Sequence, residues 1–229
     1  MSLPTTRRSG TLAAQALISG SVVDSLTSEP PRGALTVRLL DRDTGGTYPL
    51  AGRVLPDGTF AFYGPPEAAF PRLAMQTYHL RVEASAAHYQ PDSLDFDLGP
   101  AGGQPALVTR SIPTPGIDDA QVLLFTGDGL PRSDINLSLD RDAVRLKGRV
   151  LVSDDPPTGV ANAQLTLNPP TGPSTTADAE GCFVFPSPLP VALSLTIRIT
   201  AAGFEPAEIT YEPDYTQPLN VLTVPLRRS

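Results

Sequence analysis

The chain has 229 residues and a formal net charge of −7, a length that suits two domains of roughly 100 residues, each able to bury a core without disulfides or metal. The acidic balance disfavours nucleic acid and anionic membrane surfaces, which call for a basic footprint. The 26 prolines and 19 glycines argue for many short strands rather than long helices, and the absence of a long apolar run leaves no candidate transmembrane helix.

Taken in chain order, Arg7-Arg8 precede an apolar stretch over 11–18 in which Ala14-Gln15-Ala16 has the shape of a cleavage site. The stretch is short and broken by Gln15, so it reads as a first strand, with an export signal as the alternative. Leu35-Thr36-Val37-Arg38-Leu39 alternates apolar and polar residues, as do Leu80-Arg81-Val82-Glu83-Ala84, Leu165-Thr166-Leu167 and Leu195-Thr196-Ile197-Arg198-Ile199. One dry face and one wet face is the mark of an antiparallel sandwich sheet. Turn clusters over 28–31, 41–46, 154–157 and 168–173 separate these runs. Asp57-Gly58 supplies the residue types of a tight hairpin turn, and Phe60 and Phe62, two apart, then share one face. The segment 65–70 is the one place that suits a helical turn.

The chain says one thing twice. Ile18-Ser19-Gly20-Ser21-Val22 is echoed by Leu146-Lys147-Gly148-Arg149-Val150, and Asp57-Gly58-Thr59-Phe60-Ala61-Phe62 by Glu180-Gly181-Cys182-Phe183-Val184-Phe185. Leu80-Arg81-Val82 with His88-Tyr89-Gln90-Pro91 is echoed by Leu195-Thr196-Ile197 with Gly203-Phe204-Glu205-Pro206. The offsets drift slowly, as they do between two copies of a domain with loops of different length. The expected domains are 1–142, carrying an insertion at about 112–134, and 143–229. Ile135-Asn136-Leu137-Ser138-Leu139 resembles the C-terminal Leu222-Thr223-Val224-Pro225-Leu226 and is placed as the last strand of the first domain. Gln121-Val122-Leu123-Leu124-Phe125 is then an extra strand or part of the insertion, and its Leu123, Leu124 and Phe125 are the candidate docking residues. Gly20 and Gly148, inside strand patterns, mark a bulge or a close backbone approach.

At these residues the chain resembles the carboxypeptidase regulatory-like domain. That family carries a hydrophobic-x-Gly-x-Val opening, a Pro-x-x-Gly/Asn-Ala turn, a central Asp-Gly-x-Phe-x-Phe and a late Ala-x-Gly-Phe/Tyr. Besides the motifs above, Pro31-Arg32-Gly33-Ala34 and Ala87-His88-Tyr89 match in the first copy. Val160-Ala161-Asn162-Ala163 and Ala202-Gly203-Phe204 match in the second. His88 departs from the late Gly. The resemblance implies a transthyretin-like or Ig-like β-sandwich with no catalytic residues of its own, an accessory module beside peptidases, in bacterial surface proteins and in phage and contractile-tail proteins.

The residue inventory points away from catalysis. Its two histidines, His79 and His88, form no zinc-peptidase pattern, and no nucleophile elbow or phosphate loop is present. Asp41-Arg42-Asp43-Thr44-Gly45-Gly46 starts like a calcium loop but lacks the third carboxylate and the closing Glu, so a solvated turn is expected, as at Asp118-Asp119 and Asp154-Asp155. Cys182 is alone, which excludes an intrachain disulfide; it reads as a buried or half-buried structural thiol. Lys147, the sole lysine, sits where some sandwich repeats hold an isopeptide lysine, but the inward alternation of Leu146, Gly148 and Val150 turns it outward.

The expectation is an all-β chain of two tandem antiparallel β-sandwich domains that is not an enzyme and uses no cofactor or metal. It would be a structural or assembly protein docking other proteins through loops and edge strands, cytoplasmic or within a virion or tail-like particle, as in phage tails and contractile injection systems. The alternative is a bacterial module exported to the cell surface that binds glycan or peptide, with Tyr48, Tyr63, Tyr211 and Tyr215 as its aromatic platform.

Overall fold

The computed structural model describes residues 15–73, 75–100, 106–112, 120–126, 130–153 and 156–229; the side chains of residues 66, 67, 106–112 and 120–126 are outside the description. The chain divides after Leu139 into two compact units. The first holds β1 (Gln15–Asp24), β2 (Thr36–Asp41), β3 (Ala51–Val54), β4 (Thr59–Gly64), the single helical turn α1 (Pro66–Ala69), β5 (Tyr78–Ser85), β6 (Asp92–Leu98), β7 (Ala106–Ile112), β8 (Ala120–Thr126) and β9 (Arg132–Leu139). The second holds β10 (Arg145–Val152), β11 (Gln164–Leu167), β12 (Ser174–Thr176), β13 (Cys182–Val184), β14 (Leu195–Thr200), β15 (Ala207–Tyr211) and β16 (Leu219–Leu226).

Each unit is a two-sheet sandwich, so the chain is all-β as expected. Unit one stacks β3-β4-β1-β9 against β2-β5-β6, with β7-β8 as a separate antiparallel hairpin. Unit two stacks β13-β10-β16 against β12-β11-β14-β15. The alternating runs bury the residues that the period of two selects. Val82 and Ala84 of β5, and Leu195, Ile197 and Ile199 of β14, are within 1% of complete burial. The cores share no residue. Phe60 and Phe62 enter one and Phe183 and Phe185 the other, each pair edge to face with ring centroids 6.0 and 6.1 Å apart.

The sheets are not purely antiparallel. β1 pairs in parallel with β9, and β10 in parallel with β16, while the other strand ladders among the described residues are antiparallel. First and last strands of a unit are separated by the whole sandwich, and only such a long crossover lets neighbours run the same way. Gly20 and Gly148 sit in these parallel pairs. A β-carbon there would lie 1.8 Å from the Ile135 carbonyl oxygen and 1.9 Å from that of Leu222, so close backbone approach requires glycine at both. In β1 the register also shifts around residues 16–20. Leu17 and Ile18 are both fully buried, two successive side chains brought to one face by the bulge.

The repeated turns are repeated in backbone geometry. Gly58 (φ 80) and Gly181 (φ 78) occupy the left-handed region before β4 and β13. So do Gly33 (φ 91) and Asn162 (φ 55) in the Pro-x-x-Gly/Asn-Ala turns, and His88 (φ 68) and Gly203 (φ 79) in the late turns. The helical turn expected over 65–70 is α1. The part of the first-strand reading over 11–14, and the turns at Asp118-Asp119 and Asp154-Asp155, lie outside the described residues.

Candidate functional site

The candidate docking residues fall in β8, and the structure resolves the choice between strand and insertion into both. Leu123 registers with Thr109, Leu124 with Val108 and Phe125 with Leu107. The extra element is a hairpin that begins at Ala106, earlier than the sequence comparison placed it. The side chains of Leu123, Leu124 and Phe125 are outside the description, so their docking role stays a proposal.

Elsewhere the polar groups lock turns. Asp24, buried at the end of β1, accepts the Tyr89 hydroxyl at 2.8 Å and the Leu26 amide at 2.8 Å, and Tyr89 accepts the Arg32 amide at 3.3 Å. The late aromatic of the repeat thereby ties the opening strand to the Pro31-Arg32 turn. In unit two Asn220 is the buried knot. Its amide oxygen accepts the Tyr211 hydroxyl and the Asp214 amide, and its NH2 donates to the carbonyls of Asp214 and Gln217 at 3.0 and 3.1 Å. Burial pushes the Tyr211 hydroxyl pKa up. Tyr48 donates to the Ala69 carbonyl at 2.6 Å, and burial raises its pKa to about 12.

Of the two histidines, His79 lies on β5 and is engaged, and His88 lies in the turn that follows. His79 Nδ1 lies 2.8 Å from Asp97 on the outer face of β5 and β6, and that hydrogen bond raises its pKa above the ordinary value. Arg81 grips Asp95 through Nε and Nη2 at 2.6 and 3.1 Å, and Arg42 reaches Asp95 at 3.2 Å. These are exposed cross-strand pairs of modest strength. His88 is placed by its turn. Asp41 Oδ1 accepts the amides of Asp43 and Thr44 at 2.8 and 3.2 Å, so this carboxylate closes a turn.

Two expectations are corrected. Cys182 is exposed rather than buried: in β13 its neighbours Gly181 and Phe183 face inward, and the pleat turns the thiol out. The four tyrosines form no platform. Tyr48 and Tyr215 are buried, Tyr211 is half-buried, and only Tyr63 is exposed, at 39%. Tyr215 instead holds a loop, donating to the Ala192 carbonyl at 2.8 Å and accepting its amide at 2.7 Å. Lys147 points outward as expected. Two open polar depressions of about 460 and 470 Å³ mark unit two, one beside Asn162, Gln164 and Thr176, the other beside Asn168, Arg198 and Glu208.

What remains exposed and chemically distinctive is a sheet face that the sequence reading passed over. On the outside of β13-β10-β16, Arg145, Lys147 and Arg149 project from β10. Lys147 registers with Val184 on one side and Val221 on the other, exposed by 59% and 67%, and Arg145 registers with Leu219. The signal was present as three cations at alternate positions of one strand. Their apolar flanks come from strands far away in sequence and needed the register.

No protein-family model matches the chain, and no curated protein matches it. Solved structures resemble it remotely. A Bacillus anthracis TIE protein is 14% identical over 95% of this chain, with a TM-score of 0.35; the chain spans 34% of that protein's length. A C-terminal fragment of the pilus adhesin SpaC from Lactobacillus rhamnosus GG is 15% identical over 94% of this chain and 98% of its own, with a TM-score of 0.35. The major pilin T-13 of Streptococcus pyogenes is 10% identical over 96% of this chain and 98% of its own, with a TM-score of 0.29. Likeness at this level carries no argument about function or placement.

Proposed function

We propose that the chain is a non-enzymatic assembly protein, two tandem sandwiches of the carboxypeptidase regulatory-like kind that dock other proteins through faces, edge strands and loops. The observation that supports it best is the use made of the polar side chains. Asp24, Asp41, Tyr89, Tyr211 and Asn220 are each engaged in closing a turn or pinning a strand end. Groups held this way stiffen a scaffold and are not poised to move a proton or attack a substrate. The β7-β8 hairpin, an element with no counterpart in unit two, is one candidate contact, through Leu123, Leu124 and Phe125. A tail-like or contractile particle is the assembly this reading favours.

The test is recovery of the tagged chain from its native cell with chemical crosslinking and fractionation. Stoichiometric crosslinks to subunits of a particle support the reading, and their positions place the assembly. A chain recovered only as a free monomer, with turnover of a defined substrate, overturns it. Leu124→Asp then isolates the hairpin: a folded variant that loses its partner assigns the contact to β8.

A further inference from the structure

We infer that the outer face of β13-β10-β16 is a docking surface for a partner protein strand bearing carboxylates at alternate positions. This deepens the assembly reading and rests on it. Arg145, Lys147 and Arg149 form a column on β10, each about 7 Å from the next, the repeat of side chains on one face of a strand. The flanking strands lie about 5 Å to either side. They set Val184 beside Lys147 on β13, and Leu219 and Val221 beside Arg145 and Lys147 on β16. The result is a cationic ridge between two apolar margins. Among the described residues none of the three cations has a salt-bridge partner; Arg149 Nε donates to the Glu180 carbonyl at 3.0 Å.

The matching face of unit one shows that the fold does not require this. The register against the last strand makes Ser21, opposite Asn136, the counterpart of Arg149, opposite Thr223. The repeat likewise sets Ser19 against Lys147 and Ala61 against Val184. At these positions unit one carries small, uncharged side chains where unit two is cationic and apolar, and the charges elsewhere on that face are Arg53, opposite Ala61, and Asp134, ion-paired with Arg132 at 2.8 Å. Both last strands are sheet edges; Asp92 accepts the Ser138 amide beside β9 at 2.9 Å, and β16 ends its sheet with Leu219 and Val221 exposed. Three like charges at close spacing repel one another, and carboxylates at the same period relieve that repulsion. An extended strand supplies that period; apolar side chains beside it cover the margins. A protein strand fits better than an anionic bilayer, because the chain as a whole carries −7.

The probe is a short capped peptide of alternating valine and glutamate, titrated into the full chain and followed by backbone amide shifts. Expected are saturable shifts confined to residues 145–149, 182–184 and 219–223, weakened by salt. Lys147→Glu with Arg149→Glu should lower affinity tenfold or more while leaving the rest of the spectrum native. Should that variant misfold, Lys147→Gln with Arg149→Gln replaces it. Equal binding by the valine–glutamine peptide, shifts centred elsewhere, or no saturation at millimolar peptide would overturn the inference. So would stronger binding to vesicles of equimolar phosphatidylcholine and phosphatidylglycerol. A charge-reversed variant that still recovers its native partner in full leaves the assembly reading standing and removes this face from it.

Discussion

The third strands of the two units join different sheets. β3 pairs with β4 and widens the sheet that holds the first strand; β12 pairs with β11 and widens the opposite one. In unit two the return is immediate. Asn168 takes a left-handed φ of 42, the Leu167 amide donates to the Pro173 carbonyl at 3.0 Å, and the chain runs back along β11. In unit one the return is begun by the bridge between Leu40 and Thr47 and then abandoned. Tyr48 enters the core, stacked on Phe70 at 5.3 Å and edge-on to Tyr78 at 6.3 Å, and the chain crosses to β4. Most of β3 itself is exposed. A short edge strand is therefore assigned to a sheet by the anchor that precedes it, not by its own side chains, while the parallel pairing of first and last strands and the left-handed turns before β4 and β13 recur in both copies.

If the two cores are equivalent, truncating their matched rings should cost the same. Phe60→Ala and Phe183→Ala should each lose about 3–5 kcal/mol, read by hydrogen exchange confined to the unit concerned. A loss under about 1 kcal/mol at either would break the equivalence. The parallel pairs come next. Gly20→Ala and Gly148→Ala force a β-carbon onto a backbone carbonyl, and each should cost at least the roughly 1–3 kcal/mol of an overpacked core. Because β1 carries the bulge and β10 does not, a much smaller cost at Gly20 would show that irregular register absorbs the clash.

The late turns sharpen the comparison by exchange. Gly203→His should destabilise unit two by about 1–2 kcal/mol, the left-handed penalty of a residue with a β-carbon. His88→Gly should relieve the same penalty in unit one, reduced by the extra freedom glycine has when unfolded, for a gain of about 0.5 kcal/mol. Opposite signs are the expectation; a destabilised His88→Gly would mean that the imidazole, not the turn, carries weight there. Tyr48→Phe tests the crossing. Removing the hydroxyl from the Ala69 carbonyl should cost about 1 kcal/mol in unit one alone, read as faster exchange around α1 and β3.

What was legible in the sequence was whatever depends on local period. The pleat placed Phe60, Phe62, Phe183 and Phe185 inward and Lys147 outward, and glycine at 20 and 148 announced the close approach of backbones. The same period, applied to Cys182-Phe183-Val184, sets the thiol opposite to the inward Phe183 and so outside, against the expectation of a buried or half-buried thiol. Non-local decisions were not legible. The parallel closure of each sandwich, the sheet joined by β3, and the pairing of Lys147 with Val184 and Val221 depend on which distant segments become neighbours. The candidate site was half visible for that reason: its cations share one strand, and its apolar margins are lent by two others.

The smallest expected effect separates the outer faces by pH. Unit one carries His79 against Asp97; unit two has no histidine. The hydrogen bond from His79 to Asp97, helped by the charge of that carboxylate, raises the folded-state pKa above the ordinary 6.5. The folded chain then binds the proton more tightly than the unfolded chain. The stabilisation is fully present below about pH 6.5 and is lost as pH rises through the higher folded value. The pair is exposed and screened, so the change is small, and it should vanish in His79→Gln while unit two keeps a flat profile over the same range. Amide exchange in β5 and β6, followed from about pH 5.5 to 8.5 after correction for intrinsic rates, is the measurement. Stability of unit one that rises through this window would reverse the sign and refute the pairing of His79 with Asp97.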